Sequence, residues 1–249
     1  MTYIDGFVLA VPNANKQKFI DHANLIDPIF VEMGATRIFE CWGDDVPDGK
    51  VTGFKRAVQA KDDETVVFSW IEWPDKATRD ATMAKLTAQS EGNEPADPRM
   101  DPANNPMPFD GARMIFGGFD PLIDEGDRAG TTTGYADGFV TPVPEGKRDA
   151  YREFATQAAG IFRDYGAIRS LEAWDDDVPV GKQTDFPRAV KAEEGEKVVF
   201  SWLEWPDKAT RDAGWAKIMA DERMKPDDMP FDGKRMFWGG FTPVVTVGS

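Results

Sequence analysis

The sequence predicts an α+β protein in which one domain of roughly 115 residues is written twice. Three observations predict it. The chain superimposes on itself, each copy alternates strand-like and helix-like periodicity in the order β-α-β-β-α-β, and its first strand offers two faces of which neither is wholly polar.

At an offset of 132 residues YIDGFVLAVP, from Tyr3, meets YADGFVTPVP, from Tyr135. CWGDDVPDGK, from Cys41, then meets AWDDDVPVGK, from Ala173, and VVFSWIEWPDKATRDA, from Val66, meets VVFSWLEWPDKATRDA, from Val198. Near the end MPFDGARMIFGGF, from Met107, meets MPFDGKRMFWGGF, from Met229, at an offset of 122, so the first copy carries ten extra residues within 91–106. That run is rich in Gly, Asn, Pro and Asp, as an irregular loop is. The domains are set at 1–123 and 135–249, with a linker at 124–134 that is rich in Gly, Thr and charge.

Within the first copy, YIDGFVLAV reads as a strand ending at Pro12. A helix is expected over 15–33, where Phe19, Ala23, Ile26, Phe30 and Met33 recur at three- and four-residue spacing before Gly34. Pro28, and its counterpart Gly160, should bend or break it. A second strand follows over 36–43, then a DDVPDGK turn and a hairpin candidate formed by FKRAVQA and ETVVFSWIEW. After Pro74 a second helix is expected over 75–89, and ARMIFGGF is the last strand. This order is the ferredoxin-like arrangement of helices on one face of an antiparallel sheet. On the first strand Tyr3, Asp5, Phe7 and Leu9 alternate with the smaller set Ile4, Gly6, Val8 and Ala10. The small set suits close helix packing, which leaves the bulky set for the other copy and a cavity between the two sheets.

Composition bounds the function. With 44 acidic and 29 basic residues the formal charge is −15, which argues against nucleic-acid binding. No apolar run approaches the roughly 18 residues of a membrane span, and the N-terminus lacks the marks of a secretory signal, so no membrane and a cytoplasmic location are expected. One cysteine and one histidine cannot make a Cys/His metal cluster, and neither metal nor cofactor is expected.

The segments DGFV, CWGDDVPDGK, VVFSWIEWPDKATRD and MPFDGARM with its trailing GGF resemble the YbaA-like bacterial family, over nearly the whole of each copy. The resemblance implies a dimeric α/β-barrel, two ferredoxin-like units paired sheet to sheet, here supplied by one chain as a pseudo-dimer. It brings no assigned activity. The wider superfamily includes cofactor-independent monooxygenases, lactone isomerases, haem-binding proteins and ligand domains of transcription factors, so the fold selects no chemistry. Some members carry an RNA-related label, which the charge balance contradicts.

Groups present in both copies are the candidates for a ligand cavity at the pseudo-twofold: Asp5, Glu40, Trp42, Trp70, Glu72 and Arg113, repeated as Asp137, Glu172, Trp174, Trp202, Glu204 and Arg235. Carboxylates and arginines among aromatics can orient a polar ligand. Equally, Asp5, Glu72 and Arg113 can form ion pairs at the sheet ends while the tryptophans fill the interface. His22 and Cys41, replaced by Phe154 and Ala173, read as packing residues, and Arg79 and Arg211 as solvent-facing or paired with acids. The DDVP loops could hold a hard cation but need none. Three functions stay open: binding of a small amphipathic molecule between the repeats, a monooxygenase- or isomerase-type enzyme using that cavity, or a macromolecular interaction without a ligand.

Overall fold

A computed structural model describes residues 2–92, 96–126, 132–224 and 229–248. Repeat 1 contributes β1 (Tyr3–Pro12), α1 (Lys16–Glu32), β2 (Arg37–Asp45), α2 (Phe54–Ala57), β3 (Glu64–Trp73), α3 (Lys76–Ser90) and β4 (Ile115–Gly126). Repeat 2 contributes β5 (Tyr135–Pro144), α4 (Arg148–Asp164), β6 (Arg169–Asp177), α5 (Phe186–Ala189), β7 (Glu196–Trp205), α6 (Lys208–Ile218) and β8 (Phe237–Gly248). Each repeat folds as the ferredoxin-like sheet expected, in the order β4-β1-β3-β2 and its equivalent. The two sheets then close into one eight-stranded barrel, β1-β3-β2-β8-β5-β7-β6-β4.

Closure uses the length of the last strands. Residues Ile115–Phe119 of β4 pair with β1, and Gly118–Gly126 pair with β6 of the other repeat. Residues 124–126, read as linker, are therefore strand. The same exchange joins β8 to β5 and β2. Closing the sheet leaves no edge strand open.

Register corrects the assignment of faces on β1. Gly6 lies opposite Trp70, Val8 opposite Phe68 and Ala10 opposite Val66, so the small set faces the barrel axis with the aromatics of β3. The reason is volume. Trp70 stacks on Trp202 at 4.5 Å and Phe68 on Phe200 at 4.6 Å across the axis, and only small neighbours leave room for them. A Cβ on Gly6 would stand 2.8 Å from the Phe200 ring, and one on Gly138 the same distance from Phe68. The space between the repeats, expected to be a ligand cavity, is thus packed with side chains.

FKRAVQA is not a hairpin strand. Phe54, Ala57 and Val58 follow helical spacing, and α2 and α5 turn Phe54 and Phe186 into the barrel against Phe68, Phe241, Phe119 and Phe200. Helix α1 runs unbroken through Pro28. The carbonyl that proline leaves unbonded belongs to Asn24, which is exposed, so water can satisfy it.

Four aspartates at the ends of β2 and β6 clasp the repeats together. Tyr3 donates to Asp176 at 2.8 Å and Arg79 to Asp177 at 2.6 Å, while Tyr135 donates to Asp44 at 2.9 Å and Arg211 to Asp45 at 2.9 Å. These DDVP carboxylates, considered as cation ligands, instead hold cations and hydroxyls of the opposite repeat. With edges, axis and clasps all shared, halves made by cutting within 127–131 and expressed together should elute as one 27.7 kDa complex on size exclusion, each half alone self-associating. Two stable monomeric halves would remove the barrel as the unit of folding.

Candidate functional site

The candidate residues separate into three groups. Trp70, Glu72, Trp202 and Glu204 face the barrel interior, where the indoles donate to the glutamates at 3.1 and 3.0 Å. Arg169 donates to Glu72 at 2.7 Å, to Glu204 at 3.1 Å and to Asp124 at 2.8 Å, and Arg37 to Glu204 at 2.7 Å. This cluster shuts the end of the barrel. Burial alone would raise Glu204, but Arg37 and Arg169 together bring it down to about 2.

Arg113 and Arg235 lie outside that interior. Arg113 makes two 2.7 Å bonds to Glu64 and one of 2.9 Å to Asp110, and Arg235 repeats them with Glu196 and Asp232. They tie the approach to the last strand to the start of β3 or β7.

Asp5, Glu40, Trp42, Asp137, Glu172 and Trp174 face the helices, not the other repeat. Asp5 accepts from the Trp73 indole at 2.8 Å and from Arg79 at 2.9 Å, and Asp137 is held likewise by Trp205 and Arg211. Burial raises both carboxyls while the arginines oppose it. Arg79 and Arg211 are buried, not solvent-facing. Trp42 packs on Phe19, with Lys16 4.8 Å over its ring, and Arg148 lies 5.6 Å from the Trp174 ring. Cys41 is buried in the barrel, where burial pushes its thiol well up.

Glu40 is different, because it opens into a cavity of about 410 Å³ between α1 and the outer face of the repeat 1 sheet. Phe7, Leu9 and Ile71 form the floor, and α1 supplies Phe19, His22, Ile26, Asp27 and Phe30. The loop that contains the ten extra residues contributes Met100, Pro102 and Asn105, and Phe109 and Met114 complete the rim. The loop is fastened to the helix. Arg99 makes bonds of 3.0 and 2.6 Å to Glu32, and Asn105, oriented by its own 3.3 Å bond to the Arg99 carbonyl, accepts from His22 Nδ1 at 2.9 Å.

Inside the pocket Ser69 donates to Glu40, and Asp27 is buried with its Oδ2 lacking any hydrogen-bond partner in the protein. Burial pushes Asp27 up to about 7. Burial and then the charge of Asp27 push Glu40 well above the ordinary carboxylate range, against the Ser69 hydrogen bond. Two carboxyls that hinder each other's ionisation can hold a proton near neutral pH.

Repeat 2 keeps the glutamate and serine, as Glu172 and Ser201, but not the pair. Ala159 replaces Asp27, Phe154 replaces His22, and Tyr151 replaces Phe19 and donates to Glu172 at 2.7 Å. Trp215, in place of Met83, packs 5.7 Å from Phe162 and 6.3 Å from Phe139, the counterparts of the pocket residues Phe30 and Phe7. The copies have therefore diverged at this place. Asp27 is not among the groups the copies share, and its signal in the sequence is an acid on the apolar stripe of α1 where the second copy has alanine. Among the described residues no group of three or more His, Cys, Asp or Glu is arranged to hold a metal ion, and no helix is long and apolar enough to cross a membrane.

Two ferredoxin-like units closed into one barrel with helices outside define a dimeric α/β-barrel, formed here within a single chain. The chain belongs to the family described as protein of unknown function (DUF1428), which matches residues 2–111 and 134–233. It is 58% identical over 113 residues to the uncharacterized protein YbaA of Escherichia coli K12, a match that spans 45% of this chain and 97% of that protein. The Shigella flexneri YbaA matches to the same extent. Among solved structures, it resembles a Fusobacterium nucleatum protein provisionally described as a monooxygenase (TM-score 0.58, 12% identity, 100% of this chain and 94% of that one). A Lactobacillus acidophilus protein described in the same way is similar (TM-score 0.56, 10% identity, 99% and 96%), as is an anthrone oxidase-like protein (TM-score 0.50, 13% identity, 98% and 92%). At these identities the likeness is one of fold.

Proposed function

We propose that this chain binds a small amphipathic molecule in the repeat 1 pocket, under α1, rather than between the repeats. The observation that carries this reading is that Asp27, with a carboxyl oxygen that has no partner in the protein, lines a largely apolar pocket. A buried oxygen without a partner costs about 1–3 kcal/mol, and a ligand that supplies a donor offsets that cost. Four phenylalanines and three methionines, Met100, Met107 and Met114, supply apolar contact around it.

A second reading is an enzyme of the monooxygenase or isomerase type. The Asp27–Glu40 pair favours it, since a carboxyl held near neutrality can take a proton from a bound molecule. The fold's likeness to proteins described as monooxygenases is compatible with it.

Binding is tested by methyl NMR with 1-octanol as the probe. Resonances of Leu9, Ile26, Ile71 and Met114 are expected to shift while those of Val8 and Val140, inside the barrel, stay fixed. Ile26→Trp should weaken the response at least tenfold. Shifts confined to the barrel interior, or none at all, would sink the proposal.

A further inference from the structure

We infer that the repeat 1 pocket selects an aromatic hydroxyl compound, of the phenol or naphthol class, whose hydroxyl donates to Glu40. This deepens the binding reading above and rests on it.

The argument comes from the second copy, which carries such a group in its own chain. Tyr151 presents a phenol whose oxygen stands 2.7 Å from Glu172, on the carboxylate that corresponds to Glu40. Ser201 stands beside it as Ser69 does beside Glu40. Repeat 1 has kept this glutamate and serine, but Phe19 has no hydroxyl and Leu9 replaces Thr141, so Glu40 accepts from Ser69 alone among the side-chain contacts described. The donor that repeat 2 carries on helix α4 is missing from Phe19 of repeat 1, and a bound hydroxyl compound supplies it.

The remaining features narrow the ligand further. Repeat 2 sets the direction of the bond, since there the phenol donates to the glutamate, and Glu40 in its ionised form can only accept, so the ligand's polar atom bears a proton. Two adjacent carboxyls in a chain of charge −15 disfavour an anionic ligand. Phe7, Phe19, Phe30 and Phe109 offer ring faces and edges to a planar molecule, and the methionines adapt to its outline. Asp27, which lines the same pocket from α1 and has an unpartnered oxygen, is available to a second hydroxyl.

The test compares 2-naphthol with 2-methylnaphthalene, which has nearly the same shape and no donor, by calorimetry and by the methyl resonances named above. A hydrogen bond to a charge-bearing carboxyl should favour 2-naphthol by about ten- to a hundredfold. Phe19→Tyr places the repeat 2 phenol in repeat 1, a residue this fold already accepts at the equivalent position, and should weaken 2-naphthol at least tenfold. Glu40→Gln should lower 2-naphthol affinity and leave 2-methylnaphthalene unchanged. If both compounds bind the pocket equally, or Phe19→Tyr leaves 2-naphthol untouched, the ligand class is wrong while the pocket stands. If neither aromatic nor 1-octanol moves the pocket methyls, the binding reading falls and this inference with it.

Discussion

Arg169→Met is expected to destabilise the protein by about 3–5 kcal/mol, the usual cost of removing one partner from a buried ionic cluster. Arg169 is the counterpart of Arg37, and each reaches into the opposite repeat: Arg169 bonds Glu72 and Asp124 of repeat 1, Arg37 bonds Glu204 of repeat 2. The side chain of Arg169 is 1% exposed and those of both glutamates 2%, so water cannot replace the lost guanidinium. Without it Glu72 retains Arg37, at 3.3 Å, and the Trp70 indole. Urea denaturation at pH 7 measures the loss, and adding Glu72→Gln to Arg169→Met should recover part of it by removing the stranded charge. The cluster also fixes an acid limit. Because Glu204 is held below its unfolded value, its stabilisation is complete above roughly pH 4.3 and is lost as the pH falls toward about 2. A loss under 1 kcal/mol in Arg169→Met would show that the cluster does not hold the barrel end.

The fold was legible because duplication leaves long identical segments, and because β-α-β-β-α-β with two half-apolar sheet faces has few ways to close. Strand parity placed Trp70 and Glu72 together correctly, since that follows from the alternation of a single strand. It failed for Asp5 because the choice of face for β1 depends on how paired strands share volume. Bulk on β1 alone points to the partner repeat, whereas the rings of β3 and β7 take the axis and Gly6 and Gly138 make way for them. The four-residue helix α2 was hidden by its length, with only Phe54, Ala57 and Val58 to show its period. Glu40 faces the pocket under α1 and not the space between the repeats. Its pocket is hidden in the repeat, for it arises where the copies differ, at Phe19, His22 and Asp27, and not in what they share.

Asp27→Asn is expected to stabilise the protein in neutral and alkaline solution and to weaken ligand binding at the same time. In the folded chain burial pushes the Asp27 carboxyl up to about 7, whereas in the unfolded chain it titrates near 4. Between those values the native state binds more protons than the unfolded one, so this group makes stability fall as pH rises from about 4 to about 7, with no further change above. At about 1.4 kcal/mol per unit, the advantage of Asp27→Asn over the parent should be about 2–3 kcal/mol larger at pH 8 than at pH 5. Glu172, also pushed up to about 7, adds a similar slope to both proteins and cancels in the difference, whereas Glu40, freed from the Asp27 charge, ionises more easily in Asp27→Asn and enlarges it. Urea denaturation at the two pH values gives the comparison. An advantage independent of pH would mean that Asp27 ionises normally in the fold, and the carboxyl pair would lose its reason to hold a proton. A variant that gains stability yet loses 2-naphthol binding would mark Asp27 as a residue kept at the expense of stability because the pocket uses it.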